Sequence, residues 1–244
     1  MTLQNKNIVV TGSASGIGQA TALCCAKEGA RIAVVDLNKE GVNCTVEAIQ
    51  KAGGTAKGFC VDVQQENQVR HLFEQIGQTF DPINGLIHAA GILEGALVPI
   101  DNFDEATWDR VIDINLKGSF LVSKYAVPLL EKSGQGVLVL IASGAGVKGG
   151  SSSIAYGSSK GGVHGLSLVL AAQLESRNIR VHGVCPGNIE TPLKMRVVEK
   201  QAQSSGRPVN QMTAGLGNPE GVAKLLTFLV SDDADYVRGT LFTR

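Results

Sequence analysis

The chain has 244 residues, enough to bury a sizeable core, and a single domain spanning residues 1–244 is the expected organisation. Hydrophobic residues make up 43% and charged residues 18%, with 30 glycines spread along the chain, a profile that excludes disorder and low-complexity repeats. The 22 basic residues balance 22 acidic ones, which leaves no net field to draw in nucleic acid or anionic lipid, so neither is an expected partner.

From the N-terminus, polar Gln4 to Asn7 leads into a short apolar run, without the charged start or longer apolar stretch of a signal peptide. No segment reaches the length of a membrane span. Ile8 to Val10 reads as a strand and runs into Thr11-Gly12-Ser13-Ala14-Ser15-Gly16-Ile17-Gly18, then straight into a helix, Ile17 to Lys27. That is the setting of a dinucleotide loop. Gly12, Gly16 and Gly18 let the backbone turn tightly against a pyrophosphate, while free amides at the helix start, around Ser15 to Ile17, and the helix dipole favour its charge. The second strand, Ile32 to Val35, ends at Asp36, the distance downstream at which a carboxylate bonds the adenosine ribose. Nothing basic stands among Ser13, Ala14, Ser15, Leu37 or Asn38 to balance a phosphate on that ribose, so NAD is expected over NADP. Lys39 is the nearest cation. The competing role for Asp36 is N-cap of the next helix.

That helix spans Lys39 to Lys51; Ala56 to Val61, Leu86 to His88, Val137 to Ile141 and Val181 to Val184 read as further strands, buried on both faces. Glu66 to Gln78, Glu105 to Glu131, Tyr156 to Arg177 and Glu220 to Val230 carry apolar stripes at helical spacing. Strand and helix in alternation require crossovers, which predicts a Rossmann-type, doubly wound parallel sheet of about seven strands with helices on both faces, Thr240 to Thr243 being the seventh. Gly144 to Ser153 is predicted to be a loop at a strand's carboxyl end, where ligands bind in open α/β sheets. Pro192 to Gly217 is long and poorly patterned, and is expected to be a substrate lid.

Tyr156 and Lys160 stand four apart at the start of a helix, which puts both on one face. A phenol titrates near 10, so taking an alcohol proton near neutrality calls for a drop of roughly three units, or about 4 kcal/mol. A charge at about 4 Å and an effective dielectric near 20 is worth roughly that much, so Lys160 with a positive nicotinamide is adequate in size. Ser143 ends its strand where a hydroxyl can orient a substrate oxygen, or serve as a turn serine. Asn115 falls inside a helical pattern that asparagine does not favour, which calls for a reason. His164, one turn beyond Lys160, reads as a packing residue.

The glycine spacing at 12, 16 and 18, with the tyrosine and lysine pair, resembles the short-chain dehydrogenase/reductase family, and the resemblance covers nearly the whole chain. It implies a catalytic tetrad of Asn115, Ser143, Tyr156 and Lys160, with Lys160 also bonding the nicotinamide ribose and Asn115 holding a water that relays protons to it. It further implies adenine contacts from Asp62 and Val63, with Leu37 nearby, backbone bordering the cofactor at Ala89, Ala90 and Gly91, and nicotinamide contacts from Pro186, Gly187, Ile189 and Thr191. Family members usually carry asparagine where this chain has His88, which reads here as a structural hydrogen-bonding residue. The implied activity is NAD-dependent hydride exchange with a small-molecule secondary alcohol or ketone.

The resemblance also implies a homo-oligomer, tetramer or dimer. Relatives continue past Arg244 through a Val-Asp-Gly-Gly segment, so either the sequence is cut short or the tail that packs between subunits is lacking. Cys24, Cys25, Cys44, Cys60 and Cys185 lack paired ligand spacing, which excludes metal and disulfide frameworks and fits buried thiols in a reducing cytoplasm. Lys148, Lys194, Arg196 and Arg207 lie near the substrate loops and read as solvated charges in preference to an anion site, which Glu94 and Glu190 would oppose. Sugars, polyols, hydroxy acids, acyl thioesters and steroid-like alcohols stay open. An NAD-sensing module without turnover, and an enzyme using S-adenosylmethionine, are the competing readings; neither needs Tyr156 with Lys160.

Overall fold

Seven short apolar runs form one sheet in the computed structural model, which describes residues 2–243. They are β1 (Asn7–Thr11), β2 (Arg31–Asp36), β3 (Thr55–Cys60), β4 (Gly85–His88), β5 (Gly136–Ile141), β6 (Ile179–Cys185) and β7 (Gly239–Phe242). All ladders are parallel. The order β3-β2-β1-β4-β5-β6-β7 reverses direction between β1 and β4, so the connections leaving these two strands part and open a crevice at their carboxyl ends.

The helices are α1 (Gly16–Lys27), α2 (Lys39–Lys51), α3 (Glu66–Thr79), α4 (Glu105–Ile112), α5 (Gly118–Glu131), α6 (Gly144–Val147), α7 (Ile154–Leu174), α8 (Pro192–Ser205), α9 (Val209–Thr213) and α10 (Pro219–Leu229). Alternate strand residues point to opposite faces. Ile8, Val10, Ile32 and Val34 therefore pack with Ala22, Cys25, Val42, Ile49 and Leu226 of α1, α2 and α10. Val9, Ala33, Val35, Leu138 and Leu140 pack on the other side with Leu72, Ile76, Leu121, Leu130 and Val163 of α3, α5 and α7. Each such leucine, removed from water, contributes about 2 kcal/mol.

Four details differ from the expectation. β3 is not buried on both faces: within it only Phe59 is, because the strand sits at the sheet edge, where Lys57 keeps its charge in water. The predicted helix from Glu105 to Glu131 is divided by a π turn, Asp113–Lys117. The 144–153 segment holds a one-turn helix, α6, capped by the Ser143 hydroxyl, which accepts from the Ala145 amide at 3.2 Å. The 192–217 segment is largely helical: Pro192 opens α8, and Gly206, at φ 68°, closes it in the left-handed conformation glycine tolerates. Only Val197 and Val198 of α8 are buried, which is why its apolar pattern is faint.

Candidate active site

The crevice between the ends of β1 and β4 widens into a cleft of about 1020 Å³. At one end the β1–α1 turn carries Gly12 at φ 67° and Gly16 at φ 56°. A Cβ on Gly12 would come within 2.6 Å of the Ala89 and Ala90 backbone, so only glycine lets this loop press against the end of β4. A Cβ on Gly18 would strike the Gly12 carbonyl. The loop is thus a backbone cradle at the start of α1, whose first amides lack intrahelical partners, and the donor set fits a pyrophosphate.

Asp36 stands at the carboxyl end of β2. Its Oδ2 accepts from the Ala14 amide at 3.0 Å and its Oδ1 from the Asn38 amide at 2.9 Å, which fixes the carboxylate beside the glycine loop. Asn38, not Asp36, caps α2 by accepting from the Gly41 amide at 3.1 Å. Asp62 is held by Gln64, whose amide and side chain donate to it at 3.1 and 3.0 Å.

At the other end, β5 delivers Ser143 and α7 delivers Tyr156 and Lys160. Ser153 caps α7 by accepting from the Tyr156 amide at 3.3 Å, so the helix starts two residues before the tyrosine. Burial pushes the Tyr156 pKa above the ordinary phenol value, and the neighbouring Ser143 hydroxyl offsets part of that rise. Lys160 Nζ donates to the Ile141 carbonyl at 2.7 Å, and burial lowers its pKa to about 8. A Cβ on Gly91 would sit 3.4 Å from that nitrogen, so the strand-end glycine leaves the ammonium its room.

Of the residues singled out in the sequence, Gly12, Ser15, Gly16, Ile17, Gly18, Asp36, Leu37, Asp62, Val63, Ala89, Ala90, Gly91, Ser143, Tyr156, Lys160, Pro186, Gly187, Ile189 and Thr191 all line this cleft. Asn115 does not. It is fully buried behind the wall, in the π turn, where its Nδ2 donates to the Ile92 carbonyl and to Ser159 Oγ, both at 2.9 Å, and its Oδ1 accepts from the Ile92 amide at 2.8 Å. Ser159 Oγ in turn donates to the Tyr156 carbonyl at 2.9 Å. The side chain therefore ties the β4 loop to the tyrosine's helix. His88 is buried and bonded through Nδ1 to Thr11 Oγ1 at 2.7 Å, and burial together with Lys160 lowers its pKa to about 3, which suits a neutral structural group. His164 bonds Thr240 at 2.8 Å, as a packing residue would.

The sequence reading missed Arg110, Ile114, Leu97 and the Ser151–Ser152 pair, which also line the cleft. Helical spacing marks the face of Arg110 and Ile114 but not their depth, and Leu97, Ser151 and Ser152 stand in irregular chain that carries no periodicity. Thr191 caps α8 by accepting from the Lys194 amide at 3.2 Å, and a Cβ on Gly16 would lie 3.3 Å from its methyl group, so α8 closes against the glycine loop. Two thiols depart from the packing expectation: Cys44 and Cys60 are exposed, while Cys25 and Cys185 are buried. Among the described residues no cluster could hold a metal ion, and no helix is long and apolar enough to cross a membrane.

Fold and cleft define an α/β protein whose glycine loop has the shape and donors for a nucleotide and whose cleft holds a tyrosine and a lysine at its opposite end. The family model described as short chain dehydrogenase matches residues 6–202, and the chain belongs to that family of oxidoreductases, whose members use nicotinamide cofactors. It is 36% identical over 240 residues to the 3-oxoacyl-(acyl-carrier-protein) reductase of Thermotoga maritima, covering 98% of this chain and 96% of the relative. Levodione reductase superposes with a TM-score of 0.92 at 29% identity, covering 98% of this chain and 96% of that one. An actinorhodin polyketide ketoreductase solved with NADPH gives 0.92 at 29%, with 98% and 95% covered.

Proposed function

We propose that the chain exchanges a hydride between NAD and a secondary alcohol or ketone, with Tyr156 as the general acid and base. The observation that carries this reading is the convergence of Tyr156, Ser143 and Lys160 in the cleft that Asp36 closes at its other end. When bound, the nicotinamide supplies the hydride donor or acceptor. In oxidation the Tyr156 oxygen takes the hydroxyl proton of the substrate; in reduction it returns a proton to the carbonyl oxygen. Ser143 bonds the same oxygen and orients it. Lys160 biases the phenol towards phenolate and would hold the nicotinamide ribose. Asn115 fixes the backbone between the β4 loop and α7, and in the family's scheme holds the water that passes protons to Lys160.

Asp36 supports NAD over NADP, since a phosphate on the adenosine ribose would meet a carboxylate already fixed by two amides. The α8–α9 segment is proposed as the substrate lid of a single 1–244 domain, because Lys200 Nζ donates to the Ala96 carbonyl at 2.8 Å, and their chain neighbours Gln201 and Leu97 line the cleft. Leu168, Val169 and Phe242 are exposed apolar side chains and support assembly of like subunits, as tetramer or dimer. Five unpaired thiols support a cytoplasmic location.

The test follows reduced-nicotinamide absorbance with NAD and, separately, NADP over a panel of secondary alcohols, with Tyr156→Phe alongside. NAD reduction that falls by about 10²–10⁴ in the variant is expected. Tight NAD binding without turnover would favour an NAD sensor, and equal use of NADP would overturn the role given to Asp36.

A further inference from the structure

The two ends of the cleft differ in charge. The adenosine end carries Asp36 and Asp62, whereas the ionisable side chains lining the cleft on the substrate side are Arg110, Lys148, Lys194 and Arg196, beside Tyr156 and Lys160 themselves. The two acids that the sequence sets against an anion are not among the lining residues: Glu190 is exposed outside the cleft, and Glu94 pairs with Arg110 at 3.6 Å. Arg110 is thereby partly neutralised. Lys148 lies over the Phe242 ring, 4.1 Å from its centre, which orders its chain, and among the described residues no carboxylate pairs with its charge. Lys194 is half-buried in the first turn of α8, three residues after the cap Thr191, and among the described residues its ammonium meets no carboxylate and no hydrogen-bond acceptor.

A cation partly withdrawn from water without a partner carries a cost that a ligand of opposite charge reduces. Burial lowers the Lys194 pKa, as expected where no anion faces it. We infer that the substrate is an anionic alcohol or ketone, its carboxylate or phosphate received between Lys194 on the lid and Lys148 on the opposite loop. This rests on the hydride reading of the cleft and names the substrate class for it. Solvated surface charge is the plainer explanation for Arg196, which is exposed, and the inference does not use it.

The test separates binding from turnover. Protein saturated with reduced cofactor is titrated calorimetrically with lactate, 3-hydroxybutyrate and 4-hydroxyvalerate, each against its own methyl ester, and with glycerol 3-phosphate, which keeps a free secondary hydroxyl, against glycerol; turnover is assayed in parallel with NAD. For at least one pair the anion is expected to bind about tenfold more tightly than its neutral partner, the effect of one charge-assisted contact of about 1.4 kcal/mol, with the preference shrinking as salt is raised. The acid-to-ester ratio should fall towards one in Lys194→Gln and be kept in Lys194→Arg; retention of NADH binding in both variants shows that they are folded. Which class of anion binds distinguishes carboxylate from phosphate. Equal affinity within every pair, no binding of any anion, or a ratio unmoved by Lys194→Gln overturns the inference. Anion binding without turnover leaves it standing and overturns the hydride reading instead.

Discussion

The Lys160 ammonium lies 5.9 Å from the centre of the Tyr156 ring, on the same face of α7, and donates its best bond to the Ile141 carbonyl. Burial drives both groups towards their neutral forms, the lysine down to about 8 and the phenol upward. Without ligand, a neutral phenol therefore faces a cation near pH 7. Oxidation of an alcohol needs the phenolate, so kcat/KM for oxidation should climb through the neutral and mildly alkaline range. Reduction starts from the protonated phenol and should show no such climb. A pH profile measured in both directions checks this; parallel profiles would remove Tyr156 from the proton step.

Keeping an ammonium at the Lys160 site lowers stability in a pH-dependent way. Its folded pKa lies below its unfolded value, so the penalty is fully present below about pH 8 and is relieved as pH rises towards 10.5. A shift of that size corresponds to about 3 kcal/mol, from which the lost Ile141 bond must be deducted. Lys160→Met should thus stabilise the protein at pH 7 by about 1–2 kcal/mol while abolishing turnover. Urea unfolding at pH 7 and near pH 10.5 is the measurement. The gain should disappear at the higher pH, and a loss of stability at pH 7 would sink the idea.

Asp36 acts twice, as a charge and as an acceptor for the Ala14 and Asn38 amides. Asp36→Ser removes the repulsion towards a 2′-phosphate and weakens the loop. The NAD to NADP ratio of kcat/KM should fall about 100-fold, with KM for both cofactors raised. A ratio that stays unchanged would mean that the carboxylate serves the loop alone.

Lys200 crosses from α8 to the Ala96 carbonyl, a contact joining two segments over a hundred residues apart in sequence. Lys200→Met keeps most of the apolar stem and removes the latch. KM for substrate should rise several-fold with cofactor KM little changed. An equal rise in both would assign the contact to general stability and not to the lid.

Much of this architecture was legible in the chain. The parallel sheet follows from alternating β-branched runs and amphipathic segments, and the cradle from Gly12, Gly16 and Gly18 lying between a strand and a helix. Two kinds of feature were not legible. The π turn at Asn115 leaves the apolar stripe intact, so periodicity sees one helix where the backbone inserts a wider turn; the buried asparagine was the only local sign. Helix α8 buries just two apolar side chains, so its register carries little amphipathic signal, although Pro192 and Gly206 marked its ends. Charge at the substrate end was legible in part: Lys148, Lys194 and Arg196 stood out beside the substrate loops, while their depth, and the arrival of Arg110 from another element, are set only by the fold.

His88 offers a test at acid pH. Among the described residues its buried Nε2 has no partner, and its pKa of about 3 lies far below the 6.5 of an exposed imidazole. The unfolded chain therefore takes up a proton that the folded chain refuses. The stability tied to this group is complete above about pH 6.5 and is lost as pH falls towards 3. His182, lowered to about 4 by burial with Arg180 and Arg238 nearby, titrates in the same window and adds to the loss. In His88→Asn that contribution vanishes, while the amide can still bond Thr11. Relative to the parent, the variant should gain about 2–3 kcal/mol between pH 7 and about pH 4.5, read as the change in urea midpoint at constant slope. If parent and variant lose stability in parallel over that range, the buried imidazole is already protonated in the folded state, and the neutral structural role assigned to it is wrong.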